Sequence, residues 1–181
     1  LQALLLMLGI NYWSVFRTSN IRIEGFTLTR EQARFWDSLY LNGLGEFFYC
    51  NHIDFRNLIA FPYDDSATAP TPARIELPSR ALLLNGAGKD SILSAEILKT
   101  SGTPFDYFAF APTPAHKRIA KLVGANTISV TRRHDPLIGW LMSSAYPSVS
   151  TFTFIATLLA ALLGYNSIIF SNERSSDFGN L

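Results

Sequence analysis

The sequence has 181 residues, enough for one ordinary domain or for a domain with a smaller partner module. Apolar residues make up 48%, charged residues 16%, and the formal net charge is +1, which excludes a disordered chain and bulk attraction to nucleic acid or an acidic membrane. One cysteine, Cys50, and three scattered histidines, His52, His116 and His134, exclude a disulfide framework and a cysteine zinc site and fit a reducing compartment.

Residues 1–10 are apolar and read as part of a helix, too short for a bilayer that needs about 20 residues. They lack the basic lead-in and cleavage motif of a signal peptide. A start at Leu1 inside a helix, and a stop at Leu181 after a polar loop, read as a piece of a longer protein. Residues 21–24, Ile-Arg-Ile-Glu, alternate and suggest a strand ending at Gly25. Thr29 and Gln32 have capping-box spacing. The helix they open carries Ala33, Trp36, Leu39 and Tyr40 on one face and ends before Gly43. Residues 47–55 are rich in aromatic residues and suggest a short strand, with Cys50 as a structural thiol among Phe48, Tyr49 and Asn51. Glu46, between glycine and aromatics, reads as a structural carboxylate. Together these elements predict a small α+β module over 1–79.

Residues 62–79 begin with a Pro-, Asp-, Thr- and Ala-rich stretch, which reads as an exposed connection and a boundary. From there to 181 the pattern becomes regular. Strands are expected at 81–84, 107–110, 127–130 and 168–170, and helices at 91–101, 115–123, 136–142 and 152–163. The apolar stretch 151–170 is broken by Gly164-Tyr165-Asn166-Ser167 and reads as a buried helix followed by a strand, not a membrane span. Short buried strands alternating with helices predict an α/β fold, a parallel sheet with flanking helices. Ligands of such sheets bind at the carboxyl ends of the strands. The loops after the predicted strands hold most of the polar chemistry of this half.

The first of these loops is Gly86-Ala87-Gly88-Lys89-Asp90-Ser91. A glycine-rich turn between strand and helix points backbone N–H groups at an anion, and the helix dipole adds attraction. Lys89 offers a charge to phosphate, Ser91 a hydroxyl, and Asp90 a ligand for Mg²⁺. Asp90 follows Lys89, so the loop is not a Walker A sequence, and Ser91 stands where a dinucleotide fingerprint needs its third glycine. The hexamer resembles the PP-loop, S-G-G-x-D-S, of the ATP-pyrophosphatases, with Gly86 in the serine position and Ala87 in a glycine position. That resemblance implies an adenine nucleotide α-hydrolase-like fold holding the pyrophosphate of ATP, with chemistry at the α-phosphate. The residue pattern alone also fits an ordinary strand–turn–helix in which Asp90 or Ser91 caps the helix.

Several segments together resemble the MurL family of UDP-N-acetyl-α-D-muramoyl-L-alanyl-L-glutamate epimerases: Gly9-Ile10-Asn11-Tyr12-Trp13, Gly43-Leu44-Gly45-Glu46-Phe47, residues 85–91, and Ser171-Asn172-Glu173-Arg174-Ser175. The similarity runs through most of the chain. Ala87 replaces a glycine of the family loop, and residues 145–150 replace a glycine- and asparagine-rich loop. The resemblance implies a cytoplasmic peptidoglycan-precursor enzyme that uses ATP and Mg²⁺. It would invert the terminal L-Glu of UDP-MurNAc-L-Ala-L-Glu through an acyl-adenylate and release AMP and pyrophosphate. Gly86, Gly88, Lys89, Asp90 and Ser91 would hold ATP, with Asp90 the metal ligand. Asp135, Glu173 and Arg174 are the candidate catalytic residues: Glu173 as base or metal ligand, Arg174 as partner of a substrate carboxylate. Arg132, Arg133, Asn172 and Ser175 are the candidate substrate-binding residues. For 132–135 the alternative is a solvated loop in which Asp135 caps the next helix; for 172–175 it is a loop with internal ion pairs. Rival functions are another PP-loop adenylating enzyme (an amide ligase or a tRNA-modifying enzyme), a non-catalytic nucleotide-binding module, and, more weakly, a protein anchored in the membrane by 151–170. Nothing in the sequence specifies an oligomeric state.

Overall fold

The computed structural model describes residues 1–133, 135, 136, 138 and 147–172. The chain divides into two compact units, one of Leu1–Arg74 with His134–Phe154 and one of Ile75–Arg133 with Ile155–Leu181.

The regular elements of the first unit begin with three helices: α1 (Gln2–Phe16), α2 (Arg30–Gly43) and α3 (Gly45–Cys50). The capping box read at Thr29 forms: the Gln32 N–H donates to Thr29 Oγ1 at 3.2 Å and the Thr29 N–H to Gln32 Oε1 at 2.9 Å. Ala33, Trp36 and Tyr40 are buried on one face of α2, and Leu39 packs at the margin of the same core. That core gathers Met7, Ile10, Trp13, Leu44, Phe47, Phe48 and Phe61 around them. The Tyr40 hydroxyl donates to the Leu6 carbonyl, and a Cβ at Gly9 would lie 3.0 Å from that hydroxyl oxygen, so glycine at position 9 is what lets α1 and α2 meet there.

Two expected strands are not formed. Residues 21–24 have no ladder partner. Their alternation records Ile21 and Ile23 packing on the helical core, while Arg22 and Glu24 face solvent and pair with each other at 3.5 Å. Residues 45–50 are helical, with the neighbours Phe47 and Phe48 both buried in the helical core. Cys50 is exposed at the end of that helix, so it is not the packed thiol the sequence suggested.

The second unit is built on a four-stranded parallel sheet of β1 (Ala81–Leu84), β2 (Phe105–Phe110), β3 (Thr127–Val130) and β4 (Ser167–Ile169), in the order β3-β2-β1-β4. Ala81, Leu82 and Leu83 are fully buried, as a strand covered on both faces requires. Parallel neighbours need crossovers, supplied by α4 (Lys89–Thr100) between β1 and β2 and α5 (Pro114–Val123) between β2 and β3. Helix α5 opens on Pro114 with a Thr113–His116 capping pair and stops at Gly124, whose φ of 73° suits glycine. Helix α6 (Ser148–Leu163) leads to β4 and ends at Gly164, φ 81°. The stretch 151–170 is thus a helix and a strand, as read, and among the described residues no helix is long and apolar enough to cross a membrane. The helix expected over 136–142 falls largely outside the described residues; of the loop expected near 145–150, Ser148 onward is already α6.

The amino ends of the strands are tied by a polar cluster. Asp106, 4% exposed, accepts from the Arg80 guanidinium and from the Tyr165 hydroxyl at 2.6 Å. Arg80 also lies over the Tyr165 ring, 4.7 Å from its centroid, and exchanges backbone contacts with Asn166: Arg80 N–H to Asn166 Oδ1 at 3.1 Å and Asn166 N–H to Arg80 O at 3.0 Å. A carboxylate this deep requires such partners. Burial and the bond to Asp106 push the Tyr165 hydroxyl up to about 12.

Candidate functional site

All four strands are parallel, so Leu84, Phe110, Val130 and Ile169 end at one edge of the sheet. The connections that leave this edge begin with Asn85, Ala111, Thr131 and Phe170. The chain moves from β1 outward through β2 to β3, then returns to the other side of β1 with β4. The direction of winding therefore reverses between β1 and β4, and this is the crevice where parallel α/β sheets place their ligands. The loop predicted to hold phosphate follows β1 at this reversal. On the other side the described residues continue from β4 to Asn172. Ser94 on α4 and Ser171 after β4 are joined by a 2.7 Å hydrogen bond.

The loop itself is built by its own side chains. Asn85 continues the β1–β2 ladder through its N–H to the Phe108 carbonyl at 2.8 Å. Its buried carboxamide turns back, so that Oδ1 accepts from the Ala87 N–H at 2.9 Å, while Nδ2 donates to the His116 carbonyl on α5 at 3.2 Å. The Gly86 N–H donates to Ser91 Oγ at 2.8 Å. Ser91, 3% exposed, also has its carbonyl bonded by the buried Tyr107 hydroxyl at 2.9 Å, and burial pushes that hydroxyl up to about 12.

Helix α4 starts at Gly88 without a side-chain cap. Asp90 and Ser91 lie inside its first turn, so the capping alternative for them is not what forms. The N–H groups of a helix's first turn have no partner within the helix and carry the positive end of its dipole. Around Gly88 a Cβ would meet nothing within 4 Å, so the approach to this helix start is open. Lys89 is exposed and Asp90 half-buried at the same place.

The structure brings Gly86, Gly88, Lys89, Asp90 and Ser91 together at the carboxyl edge, as read. Ser91 serves the loop from within, its hydroxyl engaged by Gly86. Arg132 and Arg133 leave the same edge after β3, with the Arg132 guanidinium 5.6 Å from the Phe110 ring centroid and Arg133 exposed. Asn172 is exposed just beyond β4. Asp135 is exposed and belongs to the helical unit. Glu173, Arg174, Ser175 and His134 lie outside the described residues. Among the described residues no three His, Cys, Asp or Glu side chains cluster as a metal site, and Asp90 is the one carboxylate within the loop 85–91. Glu46 is exposed in the first turn of α3, where an acid complements the dipole. Sequence reading quoted Asn85 and Ser171 within the resembling segments without giving them a role, and passed over Ser94. For Asn85 a signal was present: an asparagine directly after a buried leucine run is a residue type that turns its side chain back on the chain.

Comparison with known proteins agrees with the segments that carried the resemblance. The MurL N-terminal domain family matches residues 1–181. The chain is 31% identical over 185 residues to the UDP-N-acetyl-alpha-D-muramoyl-L-alanyl-L-glutamate epimerase of Xanthomonas oryzae pv. oryzae (strain MAFF 311018), covering 99% of the chain and 41% of that protein. It is 27% identical over 190 residues to the protein of the same name from Micromonospora sp. (strain ATCC 39149 / NRRL 15099 / SCC 1413), covering 100% of the chain and 41% of the relative. A third, from Salinispora tropica (strain ATCC BAA-916 / DSM 44818 / JCM 13857 / NBRC 105044 / CNB-440), is 28% identical over 150 residues, 80% of the chain and 33% of the relative. The chain therefore spans about two fifths of the length of the first two relatives. With its full length matched, the chain belongs to the MurL N-terminal domain family.

Proposed function

We propose that this chain supplies the nucleotide site of an ATP-dependent epimerase that inverts the terminal L-Glu of UDP-MurNAc-L-Ala-L-Glu, a step in peptidoglycan-precursor synthesis. The observation that carries the reading is the uncapped start of α4 at Gly88, opened by a glycine loop and set at the β1/β4 reversal of a parallel sheet. Such a position favours a multiply charged anion, and the relatives' name supplies the substrate.

The residues present fit ATP and Mg²⁺. Gly88 leaves room for a phosphate to reach the backbone, Lys89 brings a positive charge, and one carboxylate, Asp90, suffices because Mg²⁺ bound to nucleotides takes most of its remaining ligands from phosphate and water. Bound ATP would convert the substrate carboxylate to an acyl adenylate, removing the charge that opposes loss of the neighbouring α-proton. In this proposal Gly86, Gly88, Lys89 and Asp90 bind the triphosphate, while Ser91 fixes the loop that presents them. Arg132, Arg133, Asn172 and Ser175 bind the muramoyl peptide, and Arg174 orients its carboxylate. Asp135 and Glu173 are the other candidate catalytic residues of this proposal, Glu173 as base or metal ligand. In this proposal the reaction, which draws on a uridine-linked precursor and ATP, runs in the cytoplasm.

The test uses the protein at its full natural length with ATP, Mg²⁺ and UDP-MurNAc-L-Ala-L-Glu, following pyrophosphate and the chirality of glutamate after hydrolysis. Pyrophosphate together with D-Glu, both lost in Asp90→Ala, is the expected result. Pyrophosphate without inversion would keep an adenylating enzyme and reject the epimerase. Neither product, from a folded protein, would reject both.

A further inference from the structure

We propose that Asn85 is a positioning residue of the nucleotide loop, holding Ala87 in a left-handed conformation from a rigid mount on the sheet; this rests on the nucleotide reading above. Ala87 has a φ of 58°, a region that residues with a Cβ enter at a cost and that glycine enters freely. It is the one residue of the stretch 85–91 with a positive φ. Gly86 and Gly88, the two glycines beside it, do not use that freedom. A Cβ at Gly86 would make only an ordinary 3.6 Å contact with Ser91 Oγ, and one at Gly88 would make none. The strained residue of the loop is thus the alanine, and something must hold it there.

Asn85 is the holder that the hydrogen bonds identify. Its Oδ1 takes the Ala87 N–H at 2.9 Å, a side chain closing a turn on the residue two positions ahead. The carboxamide does not swing freely, because Nδ2 is spent on the His116 carbonyl at 3.2 Å and the residue's own N–H on Phe108 at 2.8 Å. Asn85 is 1% exposed. One residue therefore connects, through its backbone, the last ladder bond of β1 and, through its side chain, the first turn of α5 and the strained residue of the loop. The α5 anchor is itself fixed, since the Thr113 N–H donates to His116 Nδ1 at 3.0 Å. With Ala87 held and Gly86 bonded to Ser91, the chain enters α4 at Gly88, where the helix start carries no side-chain cap and a Cβ would meet nothing within 4 Å. Without Asn85, Ala87 relaxes to negative φ and the entry into α4 loses that hold. Asn85 acts through Ala87, not by touching the nucleotide.

The experiment is calorimetric titration of the full-length protein with MgATP, with thermal melting run alongside, for wild type, Lys89→Ala, Asn85→Ala, Asn85→Ala/Ala87→Gly and Asn85→Ser. Asn85→Ala is expected to weaken MgATP about tenfold, the scale of one lost buried hydrogen bond with its partner left unsatisfied. Adding Ala87→Gly should recover several-fold of that loss without raising the melting temperature to match, because glycine reaches positive φ unaided. In turnover the KM for ATP should rise more than kcat falls. Asn85→Ser keeps an acceptor for the Ala87 N–H and should bind within about threefold of wild type. If Asn85→Ala does not fold, a loss of tenfold or more in a folded Asn85→Ser overturns the proposal. Unchanged binding in a folded Asn85→Ala overturns it too, as does a loss that Ala87→Gly leaves untouched. In those cases a wild type that binds and a weakened Lys89→Ala keep the nucleotide reading standing. A wild type that does not bind MgATP removes that reading and this inference with it.

Discussion

At the amino ends of the strands Arg80, Asp106, Tyr165 and Asn166 close on one another, while at the carboxyl ends the charged Lys89, Asp90 and Arg133 stay at least partly exposed, on loops and at a helix start. The first end spends its charges internally. Asp106 is satisfied by a guanidinium and a hydroxyl, and the cluster links β1, β2 and the lead into β4. The second end keeps Lys89 and Arg133 exposed and Asp90 half-exposed, and leaves α4 without a side-chain cap. Buried side chains there, Asn85 and Ser91, hold the backbone of the loop. Similar residue types thus do opposite jobs at the two ends, and burial decides which.

The largest expected effect lies at the amino end. Arg80→Met leaves the Asp106 carboxylate buried with only the Tyr165 hydroxyl, and should cost about 3 kcal/mol in a urea unfolding titration, the lower end for a stranded buried charge because Arg80 is partly exposed. MgATP affinity of the folded protein should stay as it is. At the carboxyl end the pattern reverses. Lys89→Ala should lower MgATP affinity by about 2 kcal/mol, roughly 30-fold, while changing unfolding stability by less than about 1 kcal/mol. An Arg80 variant that loses affinity while remaining folded, or a Lys89 variant that unfolds, would break the contrast.

A smaller effect sharpens it. Tyr165 has its folded pKa pushed up to about 12 from an ordinary 10.0, so its contribution is complete below pH 10 and is lost as pH rises toward about 12. Tyr165→Phe should cost about 1 kcal/mol near neutrality, the worth of one hydrogen bond. Between pH 10 and 12 the variant should lose less further stability than wild type, in parallel unfolding curves. Equal slopes would mean that Tyr165 does not titrate against Asp106.

Much of the sheet unit was legible because local pattern and tertiary role agree there. The run Ala81–Leu84 is apolar on both faces, Pro114 and Gly124 bracket α5, and the loop hexamer sits between a buried strand and a helix. The boundaries of β2 and α4 shifted by only a few residues, since strand and helix ends depend on hydrogen bonds that composition does not show. The helical unit was read less well. Ile21 and Ile23 bury on one side whether or not a neighbouring strand exists, so alternation alone could not distinguish a ladder from an extended segment lying on helices. The aromatics of 47–55 raised strand propensity, which packing of both Phe47 and Phe48 overrode. At the candidate site, the loop hexamer 86–91 was readable as a motif. The long-range bonds Asn85–His116 and Ser94–Ser171 were not, because they pair residues 31 and 77 positions apart.

Amide hydrogen exchange of the full-length protein, with and without MgATP, tests the contrast between the two ends most directly. Protection is expected at the amides of residues 86–91 and in the loop after β4, with none added at Arg80, Asp106 or Asn166. Unchanged exchange at 86–91 under saturating MgATP, or protection confined to the amino end of the sheet, would contradict it.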